Sequence, residues 1–202
     1  MSSGFSEGVP PQAAWEHVAA RSGFEVTFFD ALDGGGHRIE GSTCGVEDGV
    51  GWVVRYVVEV DDLWRSRRAE VWGRTADGAA RRVLEGDGAG GWRVDGARDA
   101  SLDGCLDVDL EASACTNTLA VHRSALTVGD EVDAPAAYVR ADGLGIERLD
   151  QRYRRLPDGS DEGTGRVIRF HYDAPRFDYA ATLAFDRQGL VLDYPGLARR
   201  VR

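Results

Sequence analysis

The 202-residue sequence predicts a mainly β chain in which a long antiparallel sheet accompanies very little helix. Three observations predict it. Apolar and polar residues alternate in short runs, clusters of Gly and Asp interrupt those runs roughly every ten residues, and helical periodicity is scarce. The clearest run spans 50–61, where Val50, Trp52, Val54, Tyr56, Val58 and Val60 take every second position. A strand puts that whole set on one face, and the face must be buried.

The remaining elements follow in order. Phe24–Asp30, Trp64–Thr75, Ala80–Glu85, Leu106–Glu111 and Arg166–Tyr172 read as strands, and Phe177–Asp186 repeats the alternation through Phe177, Tyr179, Ala181, Leu183 and Phe185. Asp77-Gly78 and Asp95-Gly96 are pairs that accept positive φ in tight hairpins. The polar stretch 157–163 reads as a loop between strands. Pro10-Pro11 followed by Gln12–Ser22 and closed by Gly23 fits a short helix, with an opening strand as the equal alternative. Thr116-Asn117-Thr118 can cap a helix running from Leu119 to about Ala125.

The hydrophobic fraction of 43% and mean hydropathy of −0.33 suit a chain that buries a core. No apolar run approaches the ~20 residues of a membrane helix. The first residues lack the basic and apolar regions of a secretory signal, which predicts a cytoplasmic protein with a disordered tail over 1–10 and a single domain over 11–202. Three cysteines, Cys44, Cys105 and Cys115, are then expected as free thiols. The net charge of −10, with arginine as every basic residue, argues against general nucleic-acid binding and against docking on anionic membranes.

Motifs are sparse. The glycines of 86–91 match the letters of a dinucleotide fingerprint, but Trp92-Arg93-Val94 continues as a strand, so a hairpin turn is the better reading. Cys105, Cys115 and His122 match no common zinc spacing, and neither metal nor cofactor is expected. Asp107 and Asp109 project from one strand face, where they could ligate a hard cation, divide acid and base roles or simply meet solvent. Arg67 and Arg68 could hold an anionic or sugar head group, or sit on a solvated face. Tyr138, Tyr153, Tyr172, Tyr179 and Tyr194 could line an amphipathic pocket, or serve as core and rim. No GxSxG elbow, HExxH or phosphate loop is present.

The block 102–123, LDGCLDVDLEASACTNTLAVHR, resembles a bacterial family described as putative glycolipid-binding. The stretches 64–71, 91–96 and 189–197 extend the resemblance, which runs from about Trp15 to the C-terminus. It implies a spiral β-roll or incomplete barrel curled around one helix, and a homodimer with a candidate site near the interface. The wrapped helix would follow Thr116 and enclose Asn117 and Arg123, and the arginine would need Asp107 or Asp109 as partner. Alanines stand at 114 and 120, where the family pattern leads one to expect prolines.

The leading expectation is a non-catalytic module for an amphipathic small molecule such as a glycolipid or related lipid. Its candidate ligand-binding residues are Arg67, Arg68, Asp107, Asp109, Asn117, His122, Arg123 and Tyr153. The alternatives are a hydrolytic or sugar-processing enzyme built on Asp107, Asp109, Cys105 and His122, and a dimeric structural domain without ligand.

Overall fold

The computed structural model describes residues 5, 8–19, 21–111, 113–161 and 165–201. Strands β1 (Gln12–His17), β2 (Arg21–Ala31), β3 (His37–Glu47), β4 (Val50–Val60), β5 (Ser66–Thr75), β6 (Gly78–Gly86), β7 (Trp92–Val94) and β8 (Ala97–Arg98) form a meander of antiparallel neighbours. The central segment holds β9 (Asp107–Leu110), the helix α1 (Asn117–Ser124), β10 (Glu131–Asp133), β11 (Ala136–Val139) and β12 (Ile146–Leu149). The chain then returns through β13 (Arg152–Asp161), β14 (Gly165–Ala174), β15 (Tyr179–Phe185), β16 (Val191–Tyr194) and β17 (Ala198–Arg200).

Because β17 pairs with β1, the two meanders fuse into one sheet of fourteen strands, β10-β13-β14-β15-β16-β17-β1-β2-β3-β4-β5-β6-β7-β8. Its end strands, β10 and β8, do not pair with each other, so the sheet curls without closing. Inside it lies a small sheet, β12-β11-β9, whose β9 and β11 run parallel and are buried on both faces. The helix packs on β9, and six of its eight residues are buried. This is the expected open β-roll around a helix.

The alternation over 50–60 holds from Trp52 to Val60, all buried, whereas Val50 at the strand's start is exposed. The hairpin at Asp95-Gly96 forms as expected, with Asp95 at φ 50° and Gly96 at φ 84°, whereas the β5–β6 hairpin turns on Ala76 and Asp77, with Gly78 already paired to Thr75 as the first residue of β6. Gly86 pairs with Trp92 across a turn in which Asp87 accepts N–H groups from Ala89 and Gly91, so the glycine run is a hairpin turn.

Of the two readings open for the segment from Gln12, the structure has the strand: Ala13, Trp15 and His17 face inward with period two, and both β2 and β17 offer it hydrogen-bonding edges. Other expectations need correction. The stretch expected as a polar loop carries β13 onward to Asp161, with a bulge between Leu156 and Gly159 where Asp158 is held by Arg155 and Arg166. Glu162 and Gly163 lie outside the described residues. Phe177 belongs to a short 3-10 turn before β15, and Trp64 adopts φ 62° in the turn before β5. In the segment expected as a tail, Phe5 is buried against the His122 ring at 4.4 Å, and residues 1–4, 6 and 7 lie outside the described residues.

Candidate ligand-binding cleft

A cleft of about 200 Å³ lies between the large sheet and the inner sheet with its helix. The large sheet contributes Tyr172 and Ala174 from β14, Tyr179 from β15, Tyr194 from β16, Ala198 from β17 and His17 from β1. The inner side contributes Asp109 and Leu110 from β9, Tyr138 from β11, Leu149 from β12 and Asn117 from α1. Phe177 (41% exposed) and the half-buried Tyr179 and Leu197 mark its mouth. Rings of Tyr172, Tyr179 and Tyr194 contact one another at 5.8–6.1 Å, and Tyr138 meets Phe177 at 5.5 Å. The wall is thus aromatic and the floor polar.

The floor is built by β9 and the turn into α1. Ser66 anchors β9 to the large sheet: its hydroxyl accepts from the Val108 N–H at 3.0 Å, and its N–H donates to the Leu106 carbonyl. Both carboxylates of β9 consequently point into the protein, where the solvated strand face was the alternative. Asp107 receives Arg123 Nε at 2.9 Å and a terminal nitrogen at 2.6 Å, a forked pair. Burial pushes the Asp107 carboxyl up, and the Arg123 hydrogen bonds and charge pull it back. Asp109 accepts from the Thr116 hydroxyl at 2.7 Å. That bond explains why Thr116 precedes the helix without capping a backbone N–H with its side chain. Asn117 is the first helical residue and no cap. Its Oδ1 accepts from Tyr153 Oη at 2.8 Å, and its amide nitrogen reaches the Ala114 carbonyl at 3.5 Å.

A second buried network holds the same turn from outside. Glu25 on β2, fully buried, accepts from Tyr56 Oη at 2.6 Å, from the Ser113 hydroxyl, and from the N–H groups of Ala114 (2.8 Å) and Cys115 (3.3 Å). Burial raises its pKa, and those four hydrogen bonds oppose the rise.

Burial pushes the Asp109 carboxyl up to about 7, with the hydroxyl of Thr116 opposing and the nearby Asp107 charge adding to the rise. A raised folded-state pKa means that the native state holds a proton the unfolded chain has lost. Stability therefore falls as pH rises from about 4 to about 7 and is then level, a loss on the order of 4 kcal/mol. In Asp109→Asn this dependence disappears, so the variant's melting temperature gains on the wild type across that window. A difference between the two that stays constant with pH would show that Asp109 ionises freely.

The cleft gathers only part of the expected set. Asp109 and Asn117 line it, while Tyr153 stands behind Asn117 and against the Tyr172 ring at 5.0 Å. Arg123 is engaged by Asp107, and neither residue lines the cleft. Arg67, exposed, and Arg68, half-buried, lie on β5 paired with Asp61, Glu70 and Glu85, away from it. His122 stacks between Phe5 and Trp64 and donates from Nε2 to the Gln188 carbonyl at 2.9 Å; burial lowers its pKa to about 4. Cys105 is buried beside Arg148, its thiol pushed up to about 11. The four residues of the enzymatic alternative thus each have a separate partner. His17, Arg21 and Glu111, which no motif marked, also line the cleft.

No helix among the described residues is long and apolar enough to cross a membrane. A search of curated proteins found no match. Among solved structures, the chain is similar to a DUF1089 family protein from Pseudomonas aeruginosa, with 28% identity, a TM-score of 0.73, and coverage of 93% of this chain and 95% of that one. A β-barrel-like protein of domain of unknown function DUF1849 from Brucella abortus shares the fold at 12% identity and a TM-score of 0.59, over 97% of both chains. The sequence profile of the family described as putative glycolipid-binding matches residues 12–200, and the chain belongs to that family.

Proposed function

We propose that this protein is a non-catalytic module that binds an amphipathic small molecule in the cleft. The observation that carries the reading is the pairing of an aromatic wall with a buried polar floor, at Asp109 and Asn117, inside a chain of this family. Apolar surface supplies most of a small ligand's binding energy, and a few convergent polar groups orient it. Arg123, once freed from the head-group role, is a packing element that fixes the helix over β9.

The same reading takes the protein as a homodimer in a reducing compartment. Three free cysteines fit that compartment. An apolar stripe on the outer face of β2–β4, formed by Phe24, Val26, Phe28, Val46 and Val53, supports the dimer. Sedimentation equilibrium tests it.

Thermal unfolding with added amphiphiles tests the binding reading. A ligand at a hundred times its dissociation constant should stabilise the protein by about 2.7 kcal/mol. Tyr179→Ala and Phe177→Ala, both at the mouth, should fold normally and lose most of that shift. A shift untouched by both variants would put binding elsewhere.

A further inference from the structure

We propose that the cleft seats a small monocarboxylate, its acid group held by Arg21 and its compact apolar body, a single ring or a short chain, lying along the tyrosine wall. This rests on the binding reading above and names the head group, and the residue that selects it, at that same site.

Arg21 opens β2 on the inward face that it shares with Glu25, lines the cleft, and has a side chain only 8% exposed. Its guanidinium is held in place by the Trp52 ring, 5.8 Å away, and by a terminal nitrogen that donates to the Glu111 carbonyl at 2.9 Å. Its Nε, however, is buried with no hydrogen-bond partner among the described residues. Glu47 comes within 3.4 Å of Nε as an ion pair without that hydrogen bond, and its side chain is 39% exposed, so water solvates part of its charge. A buried donor left without an acceptor is costly, and an acceptor on a ligand removes the cost. A carboxylate oxygen is the strongest acceptor that a guanidinium meets.

The other ionisable groups of the lining leave room for one negative charge. His17 shares a 2.8 Å hydrogen bond with Thr43, and burial and the Arg21 charge lower its pKa to about 4, so it is neutral. Asp109 is buried beside the Thr116 hydroxyl, an environment that favours its neutral form, in which it donates. Glu111 accepts from the Ala141 N–H at 2.7 Å and lies 3.6 Å from Arg140. The Tyr138 hydroxyl feels the charges of Glu111, Asp109, Arg140 and Arg21, which puts all four within electrostatic reach of one point in the cleft. A single guanidinium answers a single charge, so a phosphate monoester would bring a second one without a partner. The chain's net charge of −10 acts weakly here, because salt screens exposed charges beyond ~8 Å at physiological ionic strength.

Size limits the body. An apolar cavity of about 150 Å³ holds one benzene. The cleft's 200 Å³ therefore takes one substituted ring or a short chain, resting on the apolar faces of Tyr172, Tyr179 and Tyr194.

Calorimetric titration of the full chain with two acid–amide pairs tests this. The pairs are para-ethylbenzoate with para-ethylbenzamide, and octanoate with octanamide; each amide keeps the shape and removes the charge. In at least one pair the acid should bind more tightly by about tenfold or more, and the pair that shows it tells ring from chain. Arg21→Gln should abolish that preference and leave the amide's affinity unchanged. Acids that exceed their amides by less than about tenfold in both pairs overturn the carboxylate head, and so does a preference that survives Arg21→Gln. The wild-type comparison decides the matter even if the variant does not fold. Loss of the acid preference alone leaves the binding reading intact, whereas no binding or thermal shift with either acid, either amide or a neutral amphiphile such as octyl glucoside overturns both.

Discussion

Glu25→Ala is expected to lower the stability of the folded chain by about 4–6 kcal/mol, a large share of the ~5–15 kcal/mol that holds a typical domain together. The carboxyl lies at the centre of a fully buried network and takes hydrogen bonds from Tyr56, Ser113, Ala114 and Cys115. All four donors are buried, so truncation leaves them facing a void with no route to water. Tyr56 keeps a second partner, Thr27 at 2.8 Å, and the Ser113 hydroxyl keeps the Thr116 N–H at 3.2 Å. Glu25→Gln can keep its carbonyl on the N–H groups of Ala114 and Cys115 and turn its amide nitrogen toward the Tyr56 and Ser113 hydroxyls, which can rotate to accept, so its loss should be well below that of Glu25→Ala. Urea unfolding measures both. A Glu25→Ala midpoint equivalent to a loss below about 1 kcal/mol would mean that the turn before α1 does not depend on this clamp.

Arg123→Ala and Asp107→Ala should each cost about 3–5 kcal/mol, because each leaves its partner's charge in the protein without compensation. The Arg123 side chain is 14% exposed and the Asp107 side chain 2%. The double variant Asp107→Leu/Arg123→Met should return to within about 2 kcal/mol of wild type, since matched apolar groups replace a buried pair at little net cost. The cycle then yields a large coupling energy. Additive losses would mean that the two side chains act independently. Amphiphile binding in the double variant should match the wild type, because neither residue touches the cleft.

Much of the fold could be read from alternation. Trp52 to Val60 gives β4 directly, and the hairpins at Asp77 and Asp95 follow from turn chemistry. β3 escaped because its inward positions include Gly41 and Gly45, which carry no apolar signal. A Cβ at Gly41 would lie 2.2 Å from the Tyr56 ring and one at Gly45 2.7 Å from Trp52, so these glycines make room for the large residues of β4. Pattern also does not fix direction. In β2 the apolar Phe24 and Phe28 face outward, 50% and 49% exposed, while Glu25 and Thr27 face the core. A hydrogen-bonded network with Tyr56 outweighs side-chain polarity there, and nothing in the spacing announces it.

The site was legible by residue type more than by role. Tyrosine content suggested an amphipathic lining, and Tyr138, Tyr172, Tyr179 and Tyr194 do line the cleft. Asp107 and Asp109 share a strand face, yet one neutralises an arginine and the other meets the cavity. That division depends on where α1 returns over β9, a contact that spacing along the chain does not encode.

The most direct measurement is native mass spectrometry of the full chain purified without detergent, followed by extraction of any released small molecule and repeated with Tyr179→Ala. The account predicts one amphipathic molecule per chain, bound by the wild type and largely lost from the variant. A molecule retained equally by both, or a chain that is empty and takes up no added amphiphile, would contradict it.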